Sequence, residues 1–155
     1  MTSALRLVSV GLLLLTLYGC AVANAIVEPY YDLHLRANIS TNADDQGQPL
    51  PVVVRVYELR SEEAFQEAGF FDLYDNADSV LGDDLLRTSE VVLRPTQQLT
   101  HDMRLDKDTR YVGIIGAFRD IDNADWKLSL RADPQDYQTR YIRVDRRSIT
   151  LDHNH

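Results

Sequence analysis

The chain of 155 residues has a single cysteine, Cys20, so no disulfide can close within it. It has no Gly-x-Ser-x-Gly elbow, no phosphate-cradling glycine loop and no His-Glu-x-x-His pair. Their absence removes the sequence signals of an α/β-hydrolase, a nucleotide-binding loop and a zinc protease. Internal repeats and low-complexity tracts are missing as well. Positive charge is in short supply: 16 Lys and Arg stand against 24 Asp and Glu, a net charge of −8. Such a balance does not invite nucleic acid or an anionic lipid surface. It suits a partner with a basic patch, and it equally serves solubility alone. One long apolar run occurs, Leu7 to Tyr18, interrupted by Ser9 and Thr16. It is too short to cross a bilayer comfortably, which takes about 20 apolar residues.

What is present begins with that run. Met1 to Arg6 carries one positive charge and precedes it, as the n-region precedes the h-region of a secretory signal. The ending Leu17-Tyr18-Gly19-Cys20 resembles a bacterial lipobox, in which a small residue precedes a cysteine that is lipidated and becomes the mature N-terminus; Tyr18 is bulkier than the residue usual there. The favoured expectation is a cut before Cys20 and a covalent lipid on it. An ordinary signal cut near Ala23-Asn24-Ala25 and an uncleaved anchor are the alternatives. Stable anchoring needs several acyl chains, because each buried methylene contributes only ~0.8 kcal/mol. No aspartate that would resemble an inner-membrane retention signal stands beside the cysteine (Val22 is apolar), which favours the outer membrane, facing the periplasm. The expected organisation is a lipoprotein signal over 1–19, a lipidated tether over 20–30 and one domain over 31–155. No free thiol then remains, as suits an oxidising envelope.

Alternation of period 2 begins at Tyr31. Tyr31, Leu33, Leu35, Ala37 and Ile39 point one way, and Asp32, His34, Arg36 and Asn38 the other, as in a half-buried strand. Thr41 to Pro51 breaks the pattern with Asn, Asp, Gly and two prolines. Val52 to Leu59 reads as a strand buried on both faces near its start. Between Ser61 and Leu86 the only β-branched residue is Val80. Ser61 is expected to cap a short helix that Gly69 stops, with Phe65 and Ala68 sharing a face, and Asp78 or Ser79 to cap a second helical turn carrying Val80, Leu81 and Leu85. The insert is expected over one edge of a sheet, with an irregular loop carrying aromatic plugs as the alternative. Short strands follow at 89–95, 98–106, 110–120, 126–132, 138–145 and 148–152, with Gly113 and Gly116 leaving room for large neighbours. About eight strands joined by turns imply an all-β, mostly antiparallel sandwich or barrel with a small helical insert.

Candidate chemistry is sparse. His34, His101, His153 and His155 are scattered, His34 on an outward face and His101 on an inward one. Asp120, Asp122 and Asp125 cluster in Asp-Ile-Asp-Asn-Ala-Asp, but the glycine and distal glutamate of an EF-hand are missing, so an Asx-rich turn is the expectation and no metal is assigned. No catalytic residue is singled out. Phe118 and Trp126 are expected in the core.

Three segments, Pro51 to Phe65, Phe70 to Leu86 and Tyr111 to Trp126, resemble the TssJ family, the outer-membrane lipoproteins of the bacterial type VI secretion system. The specific parts are the Val-Arg-Val-Tyr-Glu-Leu strand and the Ala-Phe-Arg-Asp-x-Asp-x-Ala-x-Trp segment. The resemblance implies a two-sheet, transthyretin-like β-sandwich with a small helical addition. It implies a non-enzymatic role: anchoring the envelope-spanning complex to the outer membrane by binding the periplasmic C-terminal region of TssM, with no small-molecule substrate and no cofactor besides the lipid on Cys20. It places the contact mainly on the loop joining the first two strands, here Thr41, Asn42, Ala43, Asp44, Asp45, Gln46, Gly47, Gln48, Pro49 and Leu50. The alternative is an envelope lipoprotein with a ligand-binding or hydrolytic cleft in the sandwich.

Overall fold

The computed structural model describes residues 29–153; Cys20, the leader and the tether up to residue 28 lie outside the described residues, as does His155. Eight strands form two four-stranded sheets. The strands are β1 (Tyr31–Ala37), β2 (Val52–Leu59), β3 (Leu85–Leu93), β4 (Gln98–Met103), β5 (Tyr111–Ala117), β6 (Lys127–Arg131), β7 (Gln138–Val144) and β8 (Ile149–Leu151). One sheet has the order β4-β1-β7-β8 and the other β3-β2-β5-β6. Pairing is antiparallel throughout except for β1 on β7, which is parallel from Tyr31 opposite Gln138 to Ala37 opposite Val144.

The alternation in sequence becomes the core between the sheets. Tyr31, Leu33, Leu35 and Ala37 of β1 meet Val52, Val54 and Val56 of β2, with Val112, Ile114, Ile142 and Val144 completing the layer. Ile39 does not join them: it is 73% exposed. The strand stops at Ala37 because Asn38 Oδ1 accepts a hydrogen bond from the Ile39 N–H at 2.6 Å and turns the chain.

A second core covers the outer face of the β3-β2-β5-β6 sheet. Helices α1 (Glu63–Glu67) and α2 (Phe70–Leu81), followed by a 3-10 turn at Gly82–Asp84, lay Phe65, Leu73 and Leu81 on Tyr57, Leu59 and Ile115. The insert therefore lies on a face of the sheet, not along its edge. For the same reason β2 is buried on both sides near its end, over Val56 to Leu59, and not near its start.

Ser61 Oγ accepts from the Glu63 N–H at 3.3 Å, but the N-cap of α1 is Glu62, one residue later than expected, and carries no side-chain cap. Gly69 does not stop that helix but begins the next. The extended conformation at Ala68 ends α1, and Asp72 Oδ2 accepts from the Gly69 N–H at 3.2 Å at the start of α2. Asp78 and Ser79 lie inside α2, and Leu85 begins β3. The helix starts earlier than Asp78, where Phe70 stacks on Tyr74 and stands edge-on to Trp126, both packed against the second core, while Phe71 stays 63% exposed.

Gly113 has the close neighbour its composition implied. A Cβ there would lie 2.7 Å from the Phe65 ring, and one at Gly116 would lie 2.7 Å from the Phe118 ring. Phe118 is buried between the sheets, whereas Trp126 is half-buried where the two cores meet and stands edge-on to Phe70 at 5.4 Å.

Candidate functional site

The strand directions sort the loops into two ends. At one end the chain enters at Tyr30 and Tyr31, beside the β4–β5 loop and the β6–β7 loop. At the other end lie the β1–β2 loop (38–51), the β3–β4 turn (94–97), the β5–β6 loop (118–126) and the β7–β8 turn (145–148). The candidate site Thr41 to Leu50 belongs wholly to this second end.

The base of the loop is structural. Thr41 is fully buried, its Oγ1 lying 2.8 Å from both Asn38 O and Val144 O. Asn42 is 6% exposed. Its Nδ2 donates to Pro51 O at 2.7 Å, and its Oδ1 accepts from the Arg119 N–H at 2.8 Å. Asn42 has φ of 50°, a left-handed conformation that asparagine tolerates better than most residues. The sequence marks this stretch as polar and loop-like. The tertiary structure makes its first two residues a buried joint between β1, β2, the β5–β6 loop and the β7–β8 turn.

The tip is a closed turn. Asp44 Oδ1 accepts from the Gln46 and Gln48 N–H groups, both at 2.9 Å, and the Asp44 N–H donates to Gln48 O at 2.9 Å. Gly47, at φ of 81°, supplies the left-handed residue that the turn requires. Asp44 is thus committed to its own backbone, whereas Asp45, Gln46, Gly47 and Gln48 are exposed. Ala43, Pro49 and Leu50 are half-buried beneath them, with the Leu50 N–H donating to Thr41 O at 3.2 Å.

Neighbours that sequence reasoning passed over complete this end. Asn38 Nδ2 donates to Asp145 Oδ1 at 2.6 Å, clasping the β1–β2 loop to the β7–β8 turn. Arg147 pairs with Asp120 Oδ2 at 3.0 Å, and the Asp125 N–H donates to Arg147 O at 2.8 Å. The hydrogen bond from Asn123, then that from Arg147, holds the Asp120 carboxyl below the usual range. Asp120 Oδ1 accepts from Asn123 Nδ2 at 2.7 Å, and the 3-10 turn at Ile121–Asn123 is held by backbone, the Asn123 N–H donating to Asp120 O at 3.3 Å, in place of the side-chain-to-amide bonds expected. Among the described residues no three His, Cys, Asp or Glu are placed to hold a metal. An open cavity of about 360 Å³ beside the loop is lined by Arg36, Asn38, Ile39, Thr96 and Arg143. Only the polar spacing of Asn38 and Asp145 could have hinted at their pairing, because they are far apart in sequence.

The histidines fall where the alternation places them. His34 stacks on Tyr141 at 4.9 Å and lies 3.1 Å from Thr100 Oγ1 on the open face of the β4-β1-β7-β8 sheet. His101 faces inward, 2.8 Å from Ser89 Oγ on the opposing sheet, and burial pushes its imidazole below the ordinary value. The Ser89–His101 hydrogen bond thus bridges the two sheets.

Residues 29–147 match the family model described as "Type VI secretion lipoprotein, VasD, EvfM, TssJ, VC_A0113". Among solved structures, the chain is similar to the type VI secretion lipoprotein TssJ1 from Pseudomonas aeruginosa. The two share 33% identity over 81% of this chain and 96% of that one, with a TM-score of 0.78. It is also similar to Lip from Serratia marcescens, a membrane-bound component of the type VI secretion system, with 29% identity over 83% of this chain and 99% of that one and a TM-score of 0.76. A third match is the chain of a structure described as the type VI secretion protein TssM C-terminal domain from EAEC, with 27% identity over 83% of this chain and 100% of that one and a TM-score of 0.70. No match is found among curated proteins. With the family model spanning most of the sandwich and a relative one-third identical over the same fold, this chain belongs to the TssJ family of type VI secretion lipoproteins.

Proposed function

We propose that this protein is a non-catalytic, lipid-anchored assembly factor. Cys20 carries the acyl chains that hold it on the periplasmic face of the outer membrane, and the loop end of the sandwich binds the periplasmic C-terminal region of TssM. The observation that carries this reading is the polarity of the fold. The chain enters at Tyr31, and the β1–β2 loop follows directly after β1, a strand of seven residues. At about 3.3 Å per residue, β1 separates tether from loop by about 23 Å. A domain held at one end by a lipid thus presents its loops to the periplasm at the other. The family resemblance points to the same loop, and the match to a chain from a TssM structure is consistent with that partner.

The exposed tip carries the contact, and the buried base holds its shape. The test is the triple variant Asp45→Ala, Gln46→Ala, Gln48→Ala, which leaves Thr41, Asn42, Asp44 and Gly47 in place. Calorimetry against the periplasmic C-terminal region of TssM is expected to show affinity weakened at least tenfold, about 1.4 kcal/mol, with the melting temperature unchanged. Full affinity in the folded variant would move the interface off this loop.

A further inference from the structure

At the end where the tether enters, one cleft departs from the acidic balance of the chain. Lys107 and Arg110 of the β4–β5 loop, Arg131 at the close of β6 and Arg140 of β7 line an open cleft of about 490 Å³. Asp133 is the one acid in that lining, and its Oδ1 is engaged by the Gln135 N–H at 2.9 Å. Arg110 donates to Lys107 O and Thr109 O at 3.0 and 2.8 Å, which fixes its position without neutralising it. None of the salt bridges among the described residues draws on these four cations. Nearby, Asp106 Oδ1 accepts from the Asp108 N–H, and Asp108 pairs with Arg60 at 3.5 Å.

Tyr30 and Tyr137 sit on the rim. They are 45% and 47% exposed, and their rings meet edge to face at 5.0 Å. The Gln138 N–H donates to Tyr30 O at 3.0 Å, and Gln138 itself lines the cleft. The point where the tether joins the domain is therefore bonded to the wall of the basic cleft.

We propose that this end is a membrane-docking surface: the cleft receives the phosphate headgroups of anionic lipids while Tyr30 and Tyr137 lie at the headgroup level. The occupant follows from position and charge. A lipid on Cys20 would tie this end of the domain to the bilayer, so the orientation rests on the anchoring reading above. Tyrosine is favoured at membrane interfaces because one end of the ring is apolar and the other is wet. Each Lys or Arg near an anionic surface strengthens binding about fivefold at moderate salt. The domain then stands upright, with its loop end pointing away from the lipid.

The test uses residues 29–155, which contain both hydrophobic cores and no Cys20, so its result does not depend on lipidation. Folding is first confirmed by a cooperative thermal melt. Flotation with phosphatidylethanolamine vesicles, with and without phosphatidylglycerol, is expected to show binding only with the anionic lipid, fading as salt shortens the Debye length below about 8 Å. Lys107→Gln with Arg131→Gln removes two exposed cations and is expected to lower partitioning at least tenfold. Arg94→Gln with Arg146→Gln removes the same charge at the loop end and is expected to leave it unchanged. Equal losses in the two double variants, or no preference for the anionic lipid, would overturn the proposal. So would binding to a hexaglutamate peptide without binding to anionic vesicles, which would make the cleft a site for an acidic protein segment.

Discussion

Single residues here act through space that their neighbours have already filled. Gly113 lies against Phe65, which is fully buried. Gly113→Ala places a methyl group inside the Phe65 ring's contact distance, and overpacking of this kind costs about 1–3 kcal/mol. The expected result is a lower midpoint in urea denaturation, partly restored by Phe65→Leu; an unchanged midpoint would show that Phe65 can move. His101 offers a pH handle. Its folded value is pushed below the ordinary 6.5 by burial, with Asp102 opposing. On acidification the unfolded chain takes the proton first. The contribution of neutral His101 is therefore complete above about pH 6.5 and is lost as pH falls from there through the folded value. Melting temperature from pH 7 to pH 5 is expected to fall less steeply in His101→Gln than in the wild type. Equal slopes would remove His101 from the account.

At the scale of elements, the helical insert is held by side chains of the strands beneath it. α1 has five residues, too few to persist alone. Lys127, the first residue of β6, donates from Nζ to Phe65 O, Gln66 O and Ala68 O at 3.0, 2.7 and 2.9 Å, so all three ammonium protons meet carbonyls at the helix C-terminus. Burial lowers the pKa of Lys127. Arg55 of β2 holds α2 in a similar way, lying over the Tyr74 ring at 4.2 Å, donating to Tyr74 O and pairing with Glu90 at 2.7 Å. Lys127→Met keeps the aliphatic stem and removes the donors. A loss of about 1.5–3 kcal/mol is expected, with proteolytic cutting rising first between residues 60 and 84. Loss of stability without local cleavage would place the role of Lys127 in the sheet instead.

The whole molecule is polarised between a tether end and a loop end. The tether end is closed by Glu58, which is 1% exposed and accepts from Arg87, the Asp106 N–H and Thr109 at 2.9, 2.8 and 3.0 Å. No helix among the described residues is long and apolar enough to cross a membrane; the proposed anchor is the lipid on Cys20. Cys20→Ser, expressed without a TssM partner and followed by envelope fractionation, is expected to release the protein from the outer membrane. Retention there would show that the lipid is not the anchor. The basic cleft alone gives salt-sensitive binding, and a high-salt wash separates the two contributions.

Strand count and the all-β, mostly antiparallel class were legible in the sequence because a period of two is a local property: Leu33 and Leu35 face one way whatever they pack against, whereas periodicity left sandwich and barrel open and the resemblance implied the sandwich. The family resemblance was legible because its marks, from Val54 to Leu59 and from Ala117 to Trp126, are contiguous. The face covered by the helices was not, because burial of Tyr57 and Leu59 depends on Phe65 and Leu73 arriving from another segment. Nor was the division of the β1–β2 loop. Thr41 and Asn42 read as loop residues, yet their hydrogen bonds reach Val144 and Arg119. The basic cleft was hidden for the same reason: net charge is a sum over the chain, whereas a cleft depends on where charges are placed. Lys107, Arg110, Arg131 and Arg140 come together only because antiparallel pairing brings the start of β5 to the end of β6, Tyr111 opposite Arg131, while parallel pairing sets the start of β7 beside Tyr31.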